Sequence, residues 1–254
     1  MVAPAIKVRD VSKSFLVPHE QRLRLKEYFA HPRRRTTYEL NEALKNVSFE
    51  VAQGEFFGVV GPNGCGKSTL LRILARIYQA DTGIIRVNGR LSPLIELGVG
   101  FNYELSARDN IEINGMLLGL TPEQLRGRFD EILAFAEVER FVDQQLKNYS
   151  TGMILRLAYS IAIQIPFDIL LLDEVLAVGD VSFQAKCFES FATMREQGKT
   201  IVLVSHDLGS VIDFCDRALL LSEGSLQLIG DPQEVVDAYL DRFGGARSTH
   251  EVEL

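Results

Sequence analysis

The chain has 254 residues, 46% of them apolar, which is enough to bury a full core in one compact unit with subdivisions. Acidic residues (34) outnumber Lys and Arg (27), and the formal net charge of −7 argues against a general nucleic-acid binder, whose footprint is basic, so no nucleic acid is expected as partner. The longest apolar stretch, 160–178, is broken by Gln164, Pro166, Asp168, Asp173 and Glu174 and cannot span a bilayer, and the unrelated spacings of Cys65, Cys187 and Cys215 suit neither a disulfide framework nor a zinc site.

The opening Met-Val-Ala-Pro runs into Lys7 and Arg9 without an apolar segment, so no secretory leader is expected; together with three free thiols this points to the cytosol. Residues Ala5 to Arg9 alternate like an edge strand that ends at Phe15. Phe15 reads equally as a core residue and as an aromatic that stacks on a nucleotide base. Residues 16–41 then lose regular apolar spacing while gathering Arg22, Arg24, Lys26, Arg33, Arg34 and Arg35, a basic insertion that is either a solvated loop or a site for an anionic partner. A strand is expected at Asn46 to Val51, with a turn at Gln53-Gly54-Glu55.

Phe56 to Val60 reads as a buried strand leading into Gly61-Pro62-Asn63-Gly64-Cys65-Gly66-Lys67-Ser68-Thr69, which satisfies every fixed position of the phosphate-binding loop pattern. The glycines let successive N–H groups turn toward phosphate oxygens, Lys67 reaches the β- and γ-phosphates, and the Ser68 hydroxyl suits Mg²⁺. Leu70, Leu71, Leu74 and Ile77 carry helical spacing from Ser68 to Tyr78, so strand, loop and helix follow in the required order and a nucleoside triphosphate with Mg²⁺ is the expected ligand pair. A strand and turn are expected at Ile84 to Gly89, after which Pro93 to Gly100 leads into a loop.

From about Ala107 to Ile165 the pattern is almost wholly helical. Thr121-Pro122-Glu123-Gln124 carries the cap, first-turn proline and third-position glutamine of a helix start. Ser150-Thr151-Gly152-Met153 heads a helix with Ile154, Leu157, Ile161 and Ile165 on its apolar face, read either as an ordinary N-cap or as N–H groups offered to an anion. Ile169 to Leu172 is a buried strand ending in Asp173 and Glu174, where Asp173 suits the Mg²⁺ shell and Glu174 can polarise an attacking water. Thr200 to Val204 repeats the buried strand and ends at Ser205-His206-Asp207, a functional histidine by position. A hairpin around Glu223-Gly224 and a helix capped by Asp231 and running to Phe243 complete the chain.

Taken together, these motifs resemble the nucleotide-binding subunit of ABC transporters over essentially the whole chain. The resemblance rests on the loop at 61–68, the signature-like Tyr149 to Met153, the strand ending Asp173-Glu174, Ala177 to Asp180 in the D-loop position and the switch His206. Within that superfamily, the Tyr-Ser-Thr-Gly-Met signature, the run from Leu172 to Asp180 and the segment 96–101 look like the polysaccharide exporters, which move lipid-linked O-antigen, teichoic acid, capsule or galactan chains. Thr151 and Met153 depart from the usual Leu-Ser-Gly-Gly-Gln, and the position of the usual lobe-linking glutamine falls at Leu97, beside Glu96 as the candidate metal-side residue.

The resemblance implies an α/β phosphate-loop fold with a RecA-like core, an antiparallel β subdomain and an inserted helical subdomain. It divides one domain, 1–254, into a core at 1–106 and 166–254 and a helical part at 107–165. It also implies a head-to-tail homodimer with each ATP between the loop of one copy and Ser150, Thr151 and Gly152 of the other, with Asp180 nearby. A separate membrane permease, a lipid-linked polysaccharide substrate and a place on the cytoplasmic face of the membrane complete what it implies.

Overall fold

The computed structural model describes residues 3–18, 38–95, 98–173 and 180–244. Glu96, Glu174 and the arginine cluster of the basic insertion lie outside the described residues.

Two sheets form the frame. Strands β1 (Ile6–Pro18), β2 (Tyr38–Val51) and β4 (Thr82–Val87) make an antiparallel sheet in the order β2-β1-β4. The second sheet runs β5-β6-β7-β3-β8-β9, from β5 (Leu91–Leu94), β6 (Ile169–Asp173), β7 (Thr200–Val204), β3 (Phe56–Val60), β8 (Arg217–Ser222) and β9 (Ser225–Gly230). Its first five strands are parallel and β9 closes the edge as an antiparallel hairpin.

The central strands are continuous apolar runs because both faces of a parallel sheet are covered, and the period of two sorts their side chains between two cores. Phe56 and Val60, Leu170 and Leu172, Ile201 and Leu203, and Ala218 and Leu220 face one cluster. Phe57 and Val59, Ile169 and Leu171, Val202 and Val204, and Leu219 and Leu221 face the other. Helices α5 (Val181–Glu196), α6 (Leu208–Phe214) and α7 (Pro232–Phe243) cover the first face. Helix α1 (Lys67–Leu74) and the antiparallel sheet cover the second. Asp173 continues the series Ile169, Leu171, and so falls on the α1 side of the sheet.

Between β5 and β6 lies a helical region: α2 (Ala107–Leu117), α3 (Pro122–Ala136), two short 3-10 turns and α4 (Thr151–Ile163). Ser106 with Asp109, and Thr121 with Gln124, form complete capping boxes that satisfy the leading N–H groups of α2 and α3. Helix α4 has two buried faces. Leu157 and Ile161 join the helical cluster, while Tyr159 and Ala162 join the cluster under α5.

Four expectations change. β1 is the middle strand of its sheet rather than an edge, because alternation reports which face is buried and not whether both backbone edges are paired. β1 and β2 extend to Pro18 and Tyr38, so residues 16–18 and 38–41 of the 16–41 insertion are paired strand. Pro93 sits within a strand, tolerated because β5 is the sheet edge and pairs only with β6. Helix α1 stops at Leu74, with Arg76 in a left-handed turn (φ 60°), so Ile77 is 57% exposed although the apolar spacing continues to it.

Phe57 is fully buried and stacks on Phe49, with ring centroids 5.5 Å apart and planes 1° from parallel, tying β3 to β2 across the two sheets. Phe57→Ala is expected to cost about 3–5 kcal/mol in equilibrium denaturant unfolding, and a loss under about 1 kcal/mol would show that the sheets do not share one core there.

Candidate phosphate-binding site

Strand β3 ends at Val60 and the chain turns at once. A Cβ on Gly61 would stand 2.2 Å from the Leu221 carbonyl oxygen and 2.7 Å from Cys65 Sγ, so only glycine lets the loop lie against β8. Gly66 has φ +111°, and a Cβ there would meet the Ala43 carbonyl oxygen of β2 at 2.4 Å. Gly66 is also the N-cap residue of α1 and brings no capping side chain. The leading N–H groups of α1 are thereby left to a bound anion, with the positive end of the helix dipole behind them.

Lys67 is buried at 5% exposure, and its Nζ donates to the carbonyl oxygens of Gly61 (2.6 Å) and Pro62 (3.0 Å). The ammonium therefore holds the ring of the loop closed with contacts that phosphate oxygens can replace. Cys65 is buried beneath the loop, its carbonyl accepting from Gly224 N at 3.0 Å. Burial pushes the Cys65 thiol up and outweighs the opposing pull of Lys67, so it stays a neutral packing group.

Phe15, Asn41, Ala43, Asn63, Gly64, Gly66, Lys67, Ser68, Thr69 and His206 line one open cleft of about 460 Å³. The structure thus brings together four sequence-distant pieces: β1, β2, the loop with α1, and the turn after β7. Phe15 is half-buried, edge-on to Tyr78 at 5.5 Å with Lys13 Nζ 5.4 Å from its ring centroid, and belongs to none of the three core clusters. His206 is exposed, held between Val204 and a turn in which Ser205 Oγ accepts from Asp207 N (3.0 Å). Asp207 in turn caps α6, accepting from Gly209 N (3.1 Å) and Ser210 Oγ (2.5 Å). Asp173 ends β6 with Oδ1 buried, paired in register with Val204, itself two places before His206.

Ser150, Thr151 and Gly152 are not part of this cleft. Ser150 caps α4 by accepting from Met153 N at 3.2 Å, and Ser150 and Thr151 are exposed. Asp180 caps α5, accepting from Phe183 N (3.0 Å) and Ser182 Oγ (2.7 Å); the Ser182 hydroxyl, then the Phe183 N–H, hold its carboxyl below the usual range. Sequence reasoning missed Asn41 and Ala43, whose place in the cleft follows from strand pairing alone. A larger cleft of about 700 Å³ between α3, α5 and residues 163–167 contains no phosphate-loop residue, so size does not locate the site.

The two glycines allow a contrast. Gly66→Ala places a methyl against a backbone carbonyl, and nucleotide affinity is expected to fall by more than about tenfold, whereas Gly64→Ala, which meets no atom within 4 Å, pays only left-handed backbone strain of about 1 kcal/mol. Equal loss of fluorescent-nucleotide binding in both variants would show that backbone strain, not the approach to β2, is the constraint.

A family model described as ABC transporter matches residues 44–177. The chain is 43% identical over 239 residues to the ABC transporter protein AbcA of Aeromonas salmonicida, covering 94% of this chain and 77% of that one. It is 36% identical over 241 residues to the O-antigen export system ATP-binding protein RfbB of Klebsiella pneumoniae, covering 93% and 97%. It is 39% identical over 238 residues to the teichoic acids export ATP-binding protein TagH of Bacillus anthracis, of which it spans only 42%. The dimeric structure of the ATP-binding cassette MJ0796 in a post-hydrolysis state bound to ADP and Pi superposes with a TM-score of 0.71 at 23% identity, over 89% of this chain and 98% of that one, which establishes the fold. A phosphate loop at the head of α1, a β6 strand ending in a carboxylate and relatives matched along almost the whole chain lead to one conclusion: the chain belongs to the ABC transporter family.

Proposed function

We propose that the chain is the ATP-hydrolysing subunit of an exporter that drives a lipid-linked polysaccharide across the cytoplasmic membrane through a separate permease. The observation that carries the ATPase reading is the single cleft in which Phe15, the phosphate loop, Lys67, Ser68 and His206 converge. The polysaccharide reading rests on the relatives named for O-antigen and teichoic acid export. No described helix is long and apolar enough to cross a membrane, in keeping with a subunit that sits on the cytoplasmic face through its permease.

The residues divide the work by chemistry. The N–H groups of Gly64, Cys65, Gly66, Lys67, Ser68 and Thr69 cradle the phosphates, with Pro62 and Asn63 shaping the turn. Lys67 moves its ammonium from the loop carbonyls to the γ-phosphate. Phe15 offers its half-buried ring to the adenine. The hydroxyl of Ser68 and the carboxylate of Asp173 are hard oxygen donors that fit Mg²⁺, which takes one or two carboxylates plus phosphate oxygens, and Glu96 adds a further carboxylate at the metal side. When bound, Mg²⁺ neutralises charge developing on the phosphates. Glu174 orients the attacking water as general base, and His206 contacts the γ-phosphate from the turn after β7. Positioning and charge stabilisation, rather than covalent chemistry, account for turnover.

Because Ser150, Thr151, Gly152 and Asp180 lie apart from the cleft, they serve a second copy. Two chains pair head to tail and each signature end closes the other's nucleotide. The division into a core at 1–106 and 166–254 and a helical part at 107–165 follows the same reading, with the helical part carrying the signature to the partner.

Glu174→Gln keeps the shape of the side chain and removes the base. ATP binding is expected to persist while steady-state ATPase activity of the assembled transporter falls by about 10²-fold or more, and activity within roughly threefold of wild type would overturn the assignment. The exporter reading is tested by surface polysaccharide in cells lacking the native gene: wild type restores it, the Gln variant does not, and a normal cell surface in the deletion strain would reject the substrate class.

The basic insertion carries a second test. Leu16, Val17, Tyr38 and Leu40, where β1 and β2 approach it, are 45–69% exposed, an apolar base suited to a protein or lipid surface. Arg33, Arg34 and Arg35 supply planar donors that suit the pyrophosphate of a glycolipid. Replacing the three with Gln is expected to leave ATP binding unchanged and to abolish glycolipid stimulation of ATPase activity; unaltered stimulation and export would make the insertion a solvated loop.

A further inference from the structure

Nineteen and twenty-four residues separate Arg156 from its two carboxylate partners in sequence, yet one guanidinium spans both. Arg156 lies on the second turn of α4, just past the signature, and is only 17% exposed. Its Nη1 donates to Glu137 Oε2 at 2.8 Å and its Nη2 to Asp180 Oδ2 at 2.6 Å. The guanidinium carbon also stands 5.2 Å from the centroid of the Phe183 ring, which packs edge-on against Tyr159 and Phe135. Glu137 is the left-handed C-cap residue of α3 (φ 59°), and Lys186 of α5 forms the other ion pair to it. The Lys186 contact first, and then the charges of Lys186 and Arg156, hold the Glu137 carboxyl below its usual range.

The arrangement joins three elements at one point: the end of α3, the start of α4 and the start of α5. Two of these are the places that the head-to-tail reading assigns to the partner's nucleotide, Ser150 to Gly152 at the cap of α4 and Asp180 at the cap of α5. A planar fork can bridge two carboxylates at fixed spacing, which a single ammonium cannot.

We propose that Arg156 is a positioning residue for turnover: by bridging Glu137 and Asp180 it fixes the signature end of α4 relative to Asp180, so that both meet the partner's nucleotide together. The inference rests on the proposed head-to-tail dimer. Among the described residues, the partners of Arg156 are Glu137, Asp180, Ser160 and Phe183, none of which lines the cleft, so its loss is expected to leave nucleotide capture by the monomer unchanged. Its effect falls on the step that needs two copies in register.

The test uses the full chain with Arg156→Lys, Asp180→Asn, the double variant and Lys186→Gln. Asparagine still caps α5, and Lys keeps an alkyl stem and charge over Phe183, so all four are expected to fold. Binding of a fluorescent ATP analogue to dilute monomer should stay within roughly twofold of wild type, while kcat falls about tenfold in each of the first two variants and the double is no worse than either single. Lys186→Gln removes the outer ion pair without breaking the bridge and should remain within roughly twofold of wild type in kcat. Sedimentation with a non-hydrolysable ATP analogue should show wild type pairing and the Arg156 variant pairing less. Unchanged kcat, an equal loss of monomer affinity, or singles whose losses multiply to about a hundredfold in the double would overturn the inference alone. Absence of nucleotide-driven pairing in wild type would overturn it together with the dimer reading.

Discussion

Three stretches of backbone meet at the phosphate loop with no room for a side chain between them. The loop at Gly61 lies against Leu221 of β8, the loop at Gly66 lies against Ala43 of β2, and Gly224 in the β8–β9 turn stands 2.9 Å, by its would-be Cβ, from the same Ala43 carbonyl. Gly224 donates from its N–H to Cys65 O and accepts at its carbonyl from Lys45 N, so one turn stitches the loop to the antiparallel sheet. Remove that closeness and the two sheets lose their common vertex. The cleft exists because it is the mouth of this vertex, with Phe15 and Asn41 delivered from one sheet and Lys67 and His206 from the other.

The same vertex sets the electrostatics. A chain of net charge −7 binds a polyanion only where backbone dipoles and one ammonium are concentrated. Lys67 is buried yet engaged by two carbonyls, which meets the requirement that a buried charge be hydrogen-bonded while leaving it available to a stronger acceptor. Beneath it the thiol of Cys65 stays neutral, so the floor of the loop adds no competing negative charge.

How much of this was legible in the sequence depended on whether the signal was local. β3, β6 and β7 coincide with their predicted runs because a strand buried on both faces writes itself as unbroken apolar sequence. The helix starts at Thr121 and Asp231 were equally plain, since a cap is made by residues three or fewer apart. β5 was hidden: its Leu-Ser-Pro-Leu has no strand pattern of its own and is recruited by the free edge of β6. The central place of β1, the presence of Asn41 in the cleft and the bridge at Arg156 depend on partners tens of residues away, which no local pattern encodes. Phe15, phosphate-loop residues and His206 line one cleft, and Ser150 to Gly152 and Asp180 lie outside it, a division that strand pairing and helix placement set rather than any one motif.

The unusual signature fits this geometry rather than straining it. Where the common pattern has glycine and glutamine, this chain has Thr151 and Met153, and on the proposed head-to-tail reading what the partner's nucleotide needs from the turn is backbone N–H groups and the Ser150 hydroxyl. Ser150 Oγ accepts from Met153 N, and a hydroxyl that accepts still has its own proton to donate. The contribution of residue 153 to the cap is therefore its backbone alone, which frees the side chain for another task. That side chain is half-buried and packs against the helical cluster formed by Ala107, Ile111, Leu157 and Ile161. An amide there would place polar atoms against apolar surface; a thioether fills the space without that cost. At this position the chain thus carries an apolar side chain that packs against the helical cluster, where the common signature carries an amide.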